Sequence, residues 1–107
     1  MDVQINTANN VAGRETLTQQ LEETVRARLS RFSEQLTRVE VHLSDENGER
    51  GGGNDKRCVI EVRPAGRDPI SVTDQAGSID QAASGALNKA ATALDRTFGK
   101  LTDRKGH

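Results

Sequence analysis

Two kinds of hydrophobic periodicity alternate along this chain of 107 residues, and together they constrain its fold more than any other feature. Four stretches place apolar side chains at every second position, which predicts half-buried strands. Those stretches are residues 3–6, 36–44, 57–63 and 69–73. Residues 14–35 and 78–103 instead repeat apolar side chains at helical spacing, which predicts two long amphipathic helices. The predicted order is therefore β-α-β-β-β-α.

The arrangement of these elements follows from their apolar faces. Only one face of each predicted strand is apolar, so both helices must cover the same face of the sheet. The first two strands flank a helix and can lie parallel through a right-handed crossover, while the last three form a meander. We therefore expect an α+β fold with a four-stranded mixed sheet and two helices packed on one face. A hydrophobic content of 33% fits one thin core in a single domain spanning residues 1–107.

Several glycines and the chain end lie outside this pattern. Residues 45–55 hold three consecutive glycines in a polar stretch, which predicts a flexible hairpin loop. A phosphate-binding loop would need a helix with Lys and Ser or Thr after the glycines, but a strand follows here. Gly85 inside the second helix suggests a close contact with another backbone, because glycine there costs up to about 1 kcal/mol. We expect residues 102–107 to fray.

The residues of enzyme chemistry are few and poorly placed. His42 lies on the polar face of a strand beside Glu40, and the nearest possible nucleophile in sequence is Ser44 on the same face. This arrangement favours an ordinary surface histidine. Cys58 lies on an apolar strand face, where a free cysteine usually acts as a small hydrophobe. A single cysteine also excludes an intramolecular disulfide, and no His or Cys pair has the spacing of metal ligands. We therefore expect no enzyme activity, cofactor or metal site.

The charge of the chain must be read from its distribution, because 15 basic and 16 acidic residues leave a net charge of −1. Lys89, Arg96 and Lys100 share nearly one azimuth of the second helix and span roughly 16 Å, which suits several nucleic-acid phosphates. A second basic group lies near the end of the first helix and consists of Arg26, Arg28 and Arg31. The alternative is that these charges only solvate helix surfaces.

Four stretches carry a resemblance to a known family: VQINTANNVAG, RLSRFSEQLTRVEVHLSDENG, DKRCVIEVRPAGRDPISV and SIDQAASGALNKAATALDR. The chain resembles the short form of the ribosome hibernation-promoting factor family, which includes the ribosome-associated inhibitor and was once labelled sigma-54 modulation protein. The segment LTRVEVHLSDENG followed by DKRC is the most specific. The resemblance covers residues 3 to about 101 and implies the same order of strands and helices.

The resemblance also implies a function. Members of this family bind in the small-subunit channel used by mRNA and by tRNA anticodon stems, where they block translation and protect idle ribosomes under stress. It implies that basic side chains of both helices contact phosphates of ribosomal RNA, and Lys89 aligns with a lysine of the family. The chain departs from the family at positions 78–80, which lack a tyrosine, and at Ala93 and Asp95, where lysines are common.

The sequence also predicts where the protein is found, and the resemblance predicts its partner. The polar N-terminus lacks a signal peptide and no apolar run is long enough to cross a membrane, so we expect a cytoplasmic protein. We expect the small ribosomal subunit as partner, with no membrane, no small-molecule substrate and a monomeric state. The resemblance is to the short form, without the C-terminal domain of long family members, so we expect any ribosome pairing to need another protein or an indirect effect. The alternative is a protein-interaction module with this fold that has lost ribosome binding.

Overall fold

The computed structural model describes the backbone of residues 1–8, 14–45 and 56–106, and the side chains of these ranges apart from residues 14 and 99–106. The strands are β1 (Asp2–Thr7), β2 (Leu36–Asp45), β3 (Lys56–Pro64) and β4 (Ile70–Ala76). The α-helices are α1 (Arg14–Arg28) and α2 (Ile79–Gly106), and a short 3-10 helix covers Ser30–Phe32. This order confirms the predicted β-α-β-β-β-α fold.

The four strands form one mixed sheet in the order β1-β2-β3-β4. β1 lies parallel to β2, while β2–β3 and β3–β4 are antiparallel, as the crossover and meander predict. The register places Val41 opposite Ile60, and Ile60 opposite Val72. Apolar side chains of neighbouring strands therefore meet on one face of the sheet, which is the face that both helices cover.

The core lies between this face and the two helices. α1 contributes Leu21 and Val25, and Leu29 follows directly after the helix; all three are buried. α2 contributes a row of small residues, and Ala82, Ala86 and Ala90 are fully buried against the sheet. Small side chains allow a helix to approach closely but bury little area each, so the larger apolar residues supply most of the burial. The described part of the chain exposes no large hydrophobic side chain.

The first helix ends earlier than the sequence predicts. The apolar stripe predicted a helix over residues 14–35, whereas α1 ends at Arg28 and a 3-10 turn follows. Backbone bonds from Phe32 N to Leu29 O (3.0 Å) and from Ser33 N to Ser30 O (3.1 Å) tighten the winding there. The hydroxyl of Ser30 donates to Ala27 O at 3.0 Å. The Ser30 bond satisfies one terminal carbonyl of α1, and the tighter winding leads the chain toward β2 while Leu29 and Phe32 stay buried.

Other boundaries shift by a few residues. β4 continues to Ala76, three residues past its predicted end, because it stays paired with β3 as far as Lys56. α2 begins after Ser78, whose hydroxyl accepts from Gln81 N at 3.2 Å, and continues to Gly106. Asp45, assigned by sequence to the glycine loop, ends β2, and residues 46–55 lie outside the described ranges. Fraying of residues 102–107 and a single domain over residues 1–107 stay predictions.

Candidate nucleic-acid interface

Two of the predicted basic residues, one at the end of α1 and one in the 3-10 helix that follows, contact the middle of α2. Arg28 donates from Nη2 to Oδ1 of Asn88. Arg31 donates from Nη1 and Nη2 to the two carboxylate oxygens of Asp95, at 2.7 and 2.9 Å. The guanidinium carbon of Arg31 lies 4.4 Å from the centroid of the Phe32 ring. Both side chains therefore lie on the outer surface of the helices, and both are exposed.

Two further predicted residues lie on the side of α2 that faces β4. The ammonium of Lys89 donates to Thr73 O at 2.8 Å and to Asp74 Oδ1 at 3.1 Å, which ties α2 to the edge strand. The side chain of Arg96 is exposed, and it makes no hydrogen bond or ion pair to any residue whose side chain is described. The two line one groove, which is also bordered by Val72, Asn88, Thr92 and Ala93.

Asn88 lies between Arg28 and the groove of Lys89 and Arg96, so these basic residues belong to one surface. It accepts from Arg28 of α1 and also borders the groove of Lys89 and Arg96. We call the surface formed by Arg28, Arg31, Lys89 and Arg96 the helical surface. It carries four cationic side chains, from α1, the 3-10 helix and α2. Among the described residues two of the four are ion-paired, Arg31 with Asp95 and Lys89 with Asp74.

The structure does not bring all six predicted residues together. Arg26 pairs with Glu22 at 3.2 Å and donates to Met1 O at 3.2 Å, which places it on the side of α1 nearest β1. The basic group predicted at the end of the first helix is therefore divided, because residues 26 and 28 lie about 200° apart around a helix. Lys100 lies on α2, but its side chain is outside the described residues, so its contact stays a prediction.

The surroundings of Gly85 differ from those predicted. The neighbour that excludes a side chain at this position is the carboxylate of Asp74, not another backbone. A Cβ placed on Gly85 would lie 2.7 Å from Asp74 Cγ and closer still to Oδ2. Gly85 lies one helical turn before Lys89, so the space it leaves lets Asp74 reach the ammonium. The i, i+4 spacing of Gly85 and Lys89 is visible in the sequence, but their partner on β4 is not.

The outer face of the sheet is a weaker candidate for anion binding. Arg63 lies 2.9 Å from a Glu61 oxygen and 3.6 Å from a Glu40 oxygen, and Arg38 lies 3.7 Å from Glu40. Cross-strand register explains the network, since Glu40 lies opposite Glu61 and Arg38 opposite Arg63. These arginines are balanced by their own neighbours, so the helical surface offers the more accessible positive charge.

His42 and Cys58, the two residues considered for catalysis, lie in surroundings that do not favour it. His42 is exposed on the outer sheet face, opposite Val59, as predicted. Cys58 is fully buried, and burial raises the pKa of its thiol to about 12, helped by the negative charge of Asp74. A thiol with this pKa is protonated at neutral pH and is a poor nucleophile. Among the described residues no group of His, Cys, Asp and Glu could hold a metal ion.

The buried thiol of Cys58 should make the free energy of unfolding fall as the pH rises into the alkaline range. Because the pKa of Cys58 is raised from 9.0 to about 12 in the folded protein, its contribution is complete below pH 9 and is lost as pH rises toward 12. The free energy of unfolding should fall by up to about 1.4 kcal/mol per pH unit across this window from this group alone. Urea unfolding at several pH values should show a shallower decline for Cys58→Ala. Parallel declines would contradict the assignment.

None of the helices in the described part of the chain combines the length and hydropathy that crossing a membrane requires.

Comparisons with known proteins agree with this architecture. The chain matches the model of the family described as Sigma 54 modulation protein / S30EA ribosomal protein over residues 5–102. The N-terminal domain of Protein Y from Thermus thermophilus is similar in structure, with a TM-score of 0.68 and 19% identity over 91% of this chain and 99% of that one. A ribosomal subunit interface protein from Coxiella burnetii gives a TM-score of 0.68 and 13% identity over 92% and 99%. No curated protein matches. At such identities the two structures show the shared fold alone.

Proposed function

This chain belongs to the Sigma 54 modulation protein / S30EA ribosomal protein family, and on that premise we propose that it is a hibernation-type translation inhibitor that binds the small ribosomal subunit. The family consists of ribosome-associated factors and is not a class of enzymes. In this proposal the protein acts as a cytoplasmic monomer by occupying the channel of mRNA and tRNA. It carries out no reaction.

The helical surface is the observation that carries the proposal. Arg28 lies at the end of α1 and Arg31 in the 3-10 helix, while Lys89 and Arg96 lie on α2. Guanidinium groups match the geometry of phosphate oxygens, and such contacts fix position without reading sequence. Arg26 and Lys100 are proposed as peripheral contacts. Arg26 lies toward β1, and the side chain of Lys100 is outside the described residues.

The aromatic residues support recognition of shape and phosphate over stacking on bases. Phe32 is buried, and its ring centroid lies 6.0 Å from that of Phe98. Arg67, on the turn between β3 and β4, lies 5.9 Å from the Phe98 centroid. Both rings are thus engaged within the protein, whereas stacking on single-stranded bases requires an accessible ring face. Folded ribosomal RNA would be bound through backbone and shape.

The steric mechanism is tested by competition on the small subunit. Subunits saturated with the protein are expected to bind less mRNA and less initiator tRNA in a filter assay, because one channel cannot hold both. The loss should be saturable and should reverse at high salt, since phosphate contacts weaken as salt rises. Undiminished binding of mRNA and tRNA by fully occupied subunits would reject this mechanism.

The second candidate is a protein-interaction module that keeps the fold without ribosome binding. Two observations favour it: the net charge of −1, and the pairing of Arg31 and Lys89 with carboxylates of the same chain. Salt distinguishes the candidates. Binding through RNA phosphates should weaken steeply as salt rises, whereas an apolar protein contact should not.

A further inference from the structure

We propose that Asp95 limits the affinity of the helical surface for RNA by occupying the Arg31 guanidinium in place of a phosphate. This inference rests on the proposed function and concerns how tightly the same site binds. Asp95 lies on α2 and its carboxylate contacts Arg31 of the 3-10 helix, so it belongs to the surface that would meet RNA.

The geometry of the pair is the geometry a phosphate would adopt. Two guanidinium nitrogens donate to two carboxylate oxygens, at 2.7 and 2.9 Å, which is the forked arrangement that arginine also forms with phosphate. The Phe32 ring, 4.4 Å from the guanidinium carbon, covers one face of the group and restricts how it can turn. A phosphate that approaches this edge of Arg31 must therefore displace Asp95.

Asp95 is held loosely enough to be displaced. The side chains of Arg31 and Asp95 are 57% and 52% exposed, and pairs this exposed contribute little to folding. Asp74 differs, because its side chain is only 27% exposed and fits the space left by Gly85. The Asp74–Lys89 pair is therefore a structural link between β4 and α2, while the Arg31–Asp95 pair is exchangeable.

Displacing Asp95 from Arg31 costs free energy, and this cost lowers the affinity of the helical surface for RNA. The freed carboxylate loses its partner and stays close to the anionic RNA, which repels it. Removing its charge should therefore tighten binding. We expect Asp95→Asn to lower the dissociation constant for the small subunit roughly threefold to tenfold at low salt, and to steepen the salt dependence by about one released counterion.

The test compares Asp95→Asn with Glu23→Gln, a variant with the same change in net charge. Glu23 is exposed on α1 and makes no ion pair with the described residues, so it controls for overall charge. Affinities are measured by co-sedimentation with purified small subunits across a salt series. Asp95→Asn should bind more tightly than the wild type, and Glu23→Gln should differ little from it. In an Arg31→Gln background the gain from Asp95→Asn should disappear.

Each outcome separates the inference from the proposed function. If the wild type binds and Asp95→Asn binds equally well or more weakly, Asp95 orients Arg31 instead of competing for it, and only the inference is rejected. An equal gain from Glu23→Gln would reduce the effect to net charge and also reject it. If the wild type itself fails to bind at low salt, the proposed function is rejected, and this inference is rejected with it.

Discussion

Reversing the charge of Arg28 and Arg96 together is expected to weaken binding to the small subunit by at least about 100-fold at low salt. Each substitution by Glu would replace a proposed phosphate contact with repulsion, and the two together change the local charge by about four units. Neither arginine is ion-paired with a carboxylate among the described side chains, and both are exposed. The fold should therefore survive, which an unchanged circular dichroism spectrum and melting curve would verify.

A matched neutralisation distinguishes local from global charge effects. Arg96→Gln on the helical surface and Arg63→Gln on the outer sheet face remove the same charge. Arg63 is balanced by Glu61, 2.9 Å away. We expect Arg96→Gln to weaken binding and to reduce the salt slope by about one, and Arg63→Gln to leave both nearly unchanged. Equal losses from the two variants would show that net charge alone governs binding and would contradict the assignment of the site.

Substituting Gly85 by Ala is expected to destabilise the fold by about 1–3 kcal/mol, although alanine is the better helix former. The added Cβ would lie 2.7 Å from Asp74 Cγ, so the carboxylate must move from its position beside Lys89, which should weaken the bond between them. In an Asp74→Ala background the conflict is absent, because Asp74 Cβ would lie 3.4 Å from the new methyl group. The same substitution should then stabilise the helix by up to about 1 kcal/mol.

The change of sign is what the measurement must show. Urea unfolding of the wild type, both single variants and the double variant gives the coupling energy, which we expect to be about 1–4 kcal/mol. Asp74→Ala alone controls for the loss of the ion pair with Lys89. Additive effects would mean that Gly85 and Asp74 do not constrain each other and that the tie between α2 and β4 depends on other contacts.

The sheet could be predicted from sequence because its signal is local. Alternation of period two in the segments around Val41, Ile60 and Val72 specifies which face is buried, and a one-residue slip would expose the whole set. The end of α1 could not be predicted, since the apolar stripe through Leu29 and Phe32 fits a continuing α-helix as well as a 3-10 turn. Tertiary packing and the need to enter β2 decided between them.

The candidate site was predictable only in part. Azimuth along one helix placed Lys89 and Arg96 on a shared groove, because helical geometry is regular. The partners of the arginines come from distant parts of the chain: Arg31 meets Asp95, and Arg28 meets Asn88. No periodicity within one element encodes such contacts. For the same reason the carboxylate beside Gly85 was not foreseen.

The central claim is tested most directly by co-sedimentation of the purified protein with separated small and large ribosomal subunits across a salt series. The protein should pellet with the small subunit at low salt and be released progressively as salt rises, because the proposed contacts are to phosphate. It should not pellet preferentially with the large subunit. Absence of binding to the small subunit at low salt, or binding that salt leaves unchanged, would contradict the account and favour a protein-interaction module.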